Sequence, residues 1–188
     1  MSGFSGLSGV PSFQVEVPTY TGQEAVYCGW RSVVKKHFTY ATGKVEKYDI
    51  MTQGAPSVLV VPWCTESRTT TLLREWQPGT DRVLWGVVAG MIEEAGCDSD
   101  GGDGGSAAAA TAAAAAKHSG ALQAAQFELD EEAHLQADTW IPLSSAAAPA
   151  DKYSDNAFHA YLAMDLSPVA SPRSLDECES IEIHPGKT

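Results

Sequence analysis

Positive charge is scarce in this chain. Its 188 residues hold 12 Lys and Arg against 24 Asp and Glu, a net charge of −12 with a pI near 4.7. A surface that neutralises phosphates along a nucleic acid needs the opposite balance, so the composition argues against such a partner. Cysteine is sparse as well. Cys28, Cys64, Cys97 and Cys178 are widely spaced and form no C-x-x-C pair, which fits neither a zinc ribbon nor a dense disulfide framework and reads as free thiols in a reducing compartment. No apolar run is long enough for a transmembrane helix. Residues 1–13 (MSGFSGLSGVPSF) contain neither Lys nor Arg, unlike a signal or transit peptide. Together these absences predict an intracellular, cytoplasmic protein with no membrane partner.

What is present is an apolar fraction of 44%, enough for the core of one domain with a small N-terminal appendage, although part of it lies in an alanine run. Residues 1–13, rich in Ser and Gly, are predicted to be a flexible N-terminus. Residues 14–50 form a β-hairpin region: FQVEV, AVYCGWRSVVKKHFTY, and KVEKYDIM after a turn at Ala41-Thr42-Gly43. Residues 51–188 make the main domain. There SVLVVPW at 57–63, TTLLREW at 70–76 and RVLWGVV at 82–88 read as strands. Between Cys97 and Gly120 the composition changes to Asp/Gly and then alanine, and this 97–120 stretch reads as an inserted surface loop with a frayed helix and no chemistry. Ala121 to Gln136 is the best helix, with Ser119 as N-cap and Leu122, Ala125, Leu129 and Ala133 as an apolar stripe. Trp140 to Leu143 and Phe158 to Leu166 read as strands, and the tail LDECESIEIH combines a carboxylate cluster with a strand-like end.

Glu128, Glu131 and Glu132 stand at i, i+3 and i+4 and share a helical face. Like charges so spaced repel unless a cation intervenes, and Mg²⁺ or Mn²⁺ favours carboxylate oxygens. On their own these residues fit either a solvated acidic face or a cation site.

The surrounding order of motifs resembles the Nudix hydrolase superfamily, whose box is written G-x5-E-x7-R-E-U-x-E-E-x-G-U, U being a bulky aliphatic residue. Gly90 takes the first position, Glu128-Leu129 take E-U, Glu131-Glu132 take E-E and Leu135 the last U. Removing residues from about Asp98 to Lys117 restores near-normal spacing. Outside the box the chain is most similar to the ADP-ribose pyrophosphatase branch, over roughly residues 28 to 184. Trp30, then Phe38 to Lys44 and Tyr48, resemble the N-terminal hairpin whose aromatics stack on adenine; hairpin packing is the other reading of Trp30 and Tyr48. Leu72 to Pro78 resembles the strand with a phosphate-binding arginine, and Asp176 to Glu182 the late acidic loop.

The resemblance implies an α/β (α+β) fold: a Nudix-type αβα sandwich with a mixed β-sheet and a small N-terminal β-hairpin subdomain. It implies a Mg²⁺- or Mn²⁺-dependent pyrophosphatase that cleaves the diphosphate of a nucleoside diphosphate derivative, of ADP-ribose or ADP-sugar type, to two monophosphates. Glu128, Glu131, Glu132, Glu179 and the carbonyl of Ala89 would hold the metal. Glu177 would accept the proton of the attacking water, with Glu131 as a second catalytic carboxylate. Trp30, Tyr48 and Arg74 would bind substrate, and the hairpin implies a homodimer because it contributes to the neighbouring subunit's site.

The chain also departs from the pattern. The arginine that braces the box carboxylates is Phe127, the mid-box Glu falls on Gly96 or Ser119, and the final box Gly is His134. A helix-ending glycine is there replaced by a residue less tolerant of positive φ, and His134 as a metal ligand is an alternative. The expected phosphate-contacting arginine is Gln77, leaving Arg74, and the Glu three residues before Ala89 is Gly86. The branch's last strand and helix have no counterpart before Thr188, so the expectation is that the sheet either lacks that cover or borrows one from a partner. A Nudix fold that has lost catalysis and serves as a binding or scaffold protein is the competing expectation; an unrelated acidic interaction protein is a third.

Overall fold

Three β-prone runs separated by short turns open the described part of the chain, and they pair with one another. The computed structural model describes residues 15–92 and 107–187, and of residues 107–119 and 187 the backbone alone. The expected flexible N-terminus at 1–13 and the Asp/Gly part of the insertion lie outside the described residues. The chain divides into two units, up to Met51 and from Thr52 onward.

In the first unit, β1 (Thr19–Cys28), β2 (Ser32–Thr39) and β3 (Val45–Thr52) form a sheet in that order. β1 and β2 are antiparallel, from Thr19↔Thr39 to Cys28↔Ser32. The turn before β3 forms where the sequence places it: Tyr40 N–H bonds the Lys44 carbonyl at 2.9 Å, and Gly43 takes φ 79, a left-handed value that suits glycine. Of FQVEV only Val15 to Val17 are described, and they are not in a strand. Val15 and Val17 are 84% exposed and precede β1, because Pro18 directly after them lacks the amide a ladder needs.

The second unit begins with β4 (Ser57–Cys64), β5 (Thr69–Gln77), β6 (Arg82–Gly86) and β7 (Val88–Met91). After it come α1 (Ala107–Ala133), β8 (Leu135–Pro142), β9 (Ala148–Pro149), β10 (Ala157–Pro168) and β11 (Ile181–Lys187). The mixed sheet runs β11-β5-β4-β10-β8, with β10 parallel to β4 and the other pairings antiparallel. β4 and β5 pair at their hairpin end, Trp63↔Thr70 and Cys64↔Thr69. Past it β4 takes β7 as a neighbour, through Val58↔Gly90 and Leu59↔Ala89, while β5 takes β6, through Glu75↔Leu84. RVLWGVV is therefore two strands and not the single one expected: its halves serve different partners, and the break falls at Val87.

The alanine run is not a loop. It is helical from Ala107 and continuous with the carboxylate segment, so Ser119 lies inside α1 and cannot be its N-cap. Alanine has the highest helix propensity, and lengthening an existing helix avoids the cost of a new nucleus. Nor does the helix reach Gln136. It ends at Ala133, where His134 turns to φ 56 and its N–H bonds the Asp130 carbonyl at 3.0 Å. The position that the box gives to glycine thus keeps a glycine-like backbone despite its side chain.

One helix face meets the sheet. Ala121, Ala125, Leu129 and Ala133 are buried against Val58, Val60, Leu73, Val88, Tyr161 and Ala163. Ala121 takes the place expected of Leu122, which is partly buried. Three alanines in this face let the backbone lie close to the strands, so added volume there has nowhere to go. Ala125→Leu is expected to cost about 1–3 kcal/mol in urea unfolding. Gln126→Leu, one residue on and exposed, should stay within about 0.5 kcal/mol of the parent.

Candidate functional site

Glu132 is the only charged residue among the buried positions of the described chain, at 6% exposure. Helical geometry explains its position: it falls inside the arc of Ala121, Ala125 and Leu129 and so points at the sheet. A carboxylate there needs a donor, and one oxygen accepts the Ala89 N–H at 2.9 Å. Burial nevertheless pushes its pKa up to about 8, with the nearby charges of Glu128, Glu179 and Glu75 adding to the effect and the Ala89 amide opposing it.

Glu128, one turn earlier, lies over β7. A Cβ at Gly90 would collide with the Glu128 carboxylate, so that position accepts no side chain unless the glutamate moves. The two ends of the interrupted box, 38 positions apart in sequence (128 − 90), thus meet in space, as the resemblance implies. Glu131 faces the loop after β10. Its carboxyl is pushed up by partial burial and then by the charges of Asp176 and Glu179, whereas Arg173 draws it down.

Glu75 is a member the sequence reading missed. Strand alternation puts Thr71, Leu73 and Glu75 on one face of β5, and Thr71 and Leu73 are buried in the core layer under α1. Glu75 therefore faces the carboxylate helix, and its pKa is raised by burial and by Glu179. The signal was available in the period-2 pattern of TTLLREW.

Arg74, by the same alternation, is on the other face. It pairs with Glu182 of β11 at 3.1 Å and lies 5.5 Å from the Trp85 ring, and the structure does not bring it to the carboxylates. Glu177 is exposed in the turn closed by Glu179 N–H to the Asp176 carbonyl at 3.0 Å. His134 holds its ring Nδ1 3.3 Å from the Asp130 carbonyl. In the first unit Trp30 is 84% exposed with Arg31 5.1 Å from its ring, whereas Tyr48 bonds the Tyr40 hydroxyl at 2.8 Å and packs edge-on to Phe38.

The side chains gathered around Glu132 are carboxylates, which suit a hard divalent cation in kind. Among the described residues no three of these side chains stand at the spacing of a closed coordination shell. The fit to Mg²⁺ or Mn²⁺ rests on the unbalanced buried charge and on the bare Cα of Gly90 beneath Glu128. The carboxylates also sit at the C-terminal end of α1, whose last turn has no basic residue, so the helix dipole adds to the negative potential there.

A carboxyl whose pKa rises on folding keeps its proton in the native state while the unfolded chain loses it, so stability falls as pH climbs from about 4.5 to about 8. The slope from this group approaches 1.4 kcal/mol per pH unit and flattens above about pH 8. In EDTA the melting temperature is expected to drop across this window. Glu132→Gln should flatten the drop and melt higher than the parent at pH 8. Equal slopes in the two proteins would contradict this placement of Glu132.

No protein-family model matches the chain, and no curated protein matches it in sequence. Among solved structures it is similar to the crystal structure of an ADP compounds hydrolase, with a TM-score of 0.62 and 21% identity over 93% of this chain and 81% of that one. At that identity the likeness concerns the fold alone, an α+β arrangement in which, among the described residues, one helix packs on a mixed sheet.

Proposed function

We propose that this protein is a Mg²⁺- or Mn²⁺-dependent hydrolase that cleaves the diphosphate of a nucleoside diphosphate derivative, of ADP-ribose or ADP-sugar type, into two monophosphates. The observation that carries this reading is the set of acidic side chains from three separate elements, Glu128 on α1, Glu75 on β5 and Glu179 in the late loop, gathered around the buried carboxylate of Glu132. The similarity to a solved ADP compounds hydrolase supports the substrate class.

In this reading Glu128, Glu132, Glu131, Glu179 and the Ala89 carbonyl hold the cation, and Glu75 joins them. When bound, the cation neutralises the diphosphate and lowers the pKa of a water. Glu132 is fixed by the Ala89 amide, and Glu128 by its seat over Gly90. These contacts hold the ligand oxygens in place before substrate arrives, which is where most of the rate gain at a phosphoryl centre originates. Glu177, exposed and solvated, accepts the proton of the attacking water. Trp30, with its open indole, and Tyr48 stack on the base, within a homodimer in which the N-terminal hairpin serves the neighbouring subunit. Arg74, held beside Glu182 and the Trp85 ring on the other face of β5, is the remaining cation for the substrate.

Incubation with ADP-ribose and a panel of nucleoside diphosphate sugars, with Mg²⁺ or Mn²⁺, should release AMP and the partner monophosphate. Glu132→Gln is expected to lower turnover more than about a hundredfold, since it removes a ligand while keeping its shape. Release of no monophosphate from any member of the panel would sink the enzyme reading and leave a binding or scaffold protein.

A further inference from the structure

The last turn of α1 carries acidic groups and no basic one, yet a cation is supplied to it from elsewhere in the chain. Arg173, in the loop between β10 and β11, lays its guanidinium 4.0 Å from the centroid of the Phe127 ring. Its Nε is 3.6 Å from one carboxylate oxygen of Asp130, and its backbone N–H donates to the other at 3.2 Å. Phe127 occupies the place where a Nudix box has the arginine that braces the ligand glutamates. Here the aromatic ring at that position serves as a platform on which a guanidinium from another element rests.

We propose that Arg173 is the positioning residue of the carboxylate site, doing from the late loop what the missing helix arginine would do from within the box. The inference rests on the metal-site reading above. Three contacts to Phe127 and Asp130, one helical turn apart, fix where Arg173 sits, and a planar fork that stacks and pairs at once is a task for arginine that lysine does not duplicate. Arg173 is also the one cation among the groups acting on Glu131, where it opposes Asp176, Glu179 and Asp130. The same loop carries Asp176 and Glu179, and its near end is held by Val169 N–H to the His134 carbonyl at 3.0 Å. Arg173 closes the second anchor of that loop on α1. It therefore sets the distance between the helix glutamates and the loop's acidic residues while lowering the repulsion between them.

The test measures Mn²⁺ affinity of the full chain by the loss of the free-ion electron paramagnetic resonance signal, with circular dichroism as the check on folding. Arg173→Met is expected to weaken Mn²⁺ binding about tenfold or more, in the range usual for residues that orient metal ligands. Arg173→Lys should fall between the two, because charge remains and the stacked fork does not. In the double variant Phe127→Arg, Arg173→Met, a guanidinium returns on the helix itself, and affinity should recover to within about threefold of the parent. A role in merely fastening the loop predicts no such recovery. If Arg173→Met and Arg173→Lys bind Mn²⁺ like the parent while Glu132→Gln does not, Arg173 is not a positioning residue and the metal site stands. A folded double variant that stays as weak as Arg173→Met overturns the proposal in the same way. If the parent protein binds no Mn²⁺ at millimolar concentration, the metal-site reading falls, and this inference with it.

Discussion

The buried carboxylate of Glu132 is the constraint on which the rest of the second unit turns. A helix that packs on a sheet through alanines comes close to it, and a glutamate inside that packed face is largely withdrawn from water. The single backbone donor, the Ala89 amide, fixes the register of α1 against β7. That register puts Glu128 directly over Gly90, where a side chain would collide with it. Close helix packing, a bare Cα and a desolvated acid are thus one arrangement, and each part requires the other two.

Charge decides what such an arrangement is for. Repulsion among Glu128, Glu132, Glu75 and Glu179, in low dielectric and at the negative end of a helix, opposes folding. A chain with no use for these groups would be more stable with glutamine or leucine at Glu132, since burying a carboxyl without a counter-charge is costly and holds its pKa at about 8. The late loop reduces part of that cost at the rim. Arg173 stacks on Phe127 and pairs with Asp130, leaving the inner carboxylates facing one another.

Much of this was legible in the sequence. Glu128, Glu131 and Glu132 at helical spacing, Gly90 at the head of the box and Glu179 in the late acidic loop are all readable from the residues alone. The apolar stripe was found apart from the exchange of Leu122 for Ala121. Other features escaped for physical reasons. The alanine run looked like a loop because it has no stripe of its own, yet it needs none when it extends a helix already anchored by the segment after it. RVLWGVV looked like one strand because periodicity records burial and not partners, and only the sheet reveals that its halves pair with β5 and β4. Arg173 escaped because nothing in SPRSLDE distinguishes a loop arginine from any other; its meaning depends on Phe127, more than forty positions earlier. His134 shows the reverse: the box assigns glycine there, and the backbone takes the left-handed turn with a histidine in place.

The most direct test of the central claim, that the α1 carboxylates and Gly90 form a divalent-cation site, is diffraction from crystals soaked in Mn²⁺ with data collected to reveal its anomalous scattering. An anomalous peak within coordination distance of the Glu128 and Glu132 oxygens, close to the Ala89 carbonyl, is the expected result. An ordered carboxylate cluster with no peak at millimolar Mn²⁺, or a peak only at surface acids away from Gly90, would contradict it.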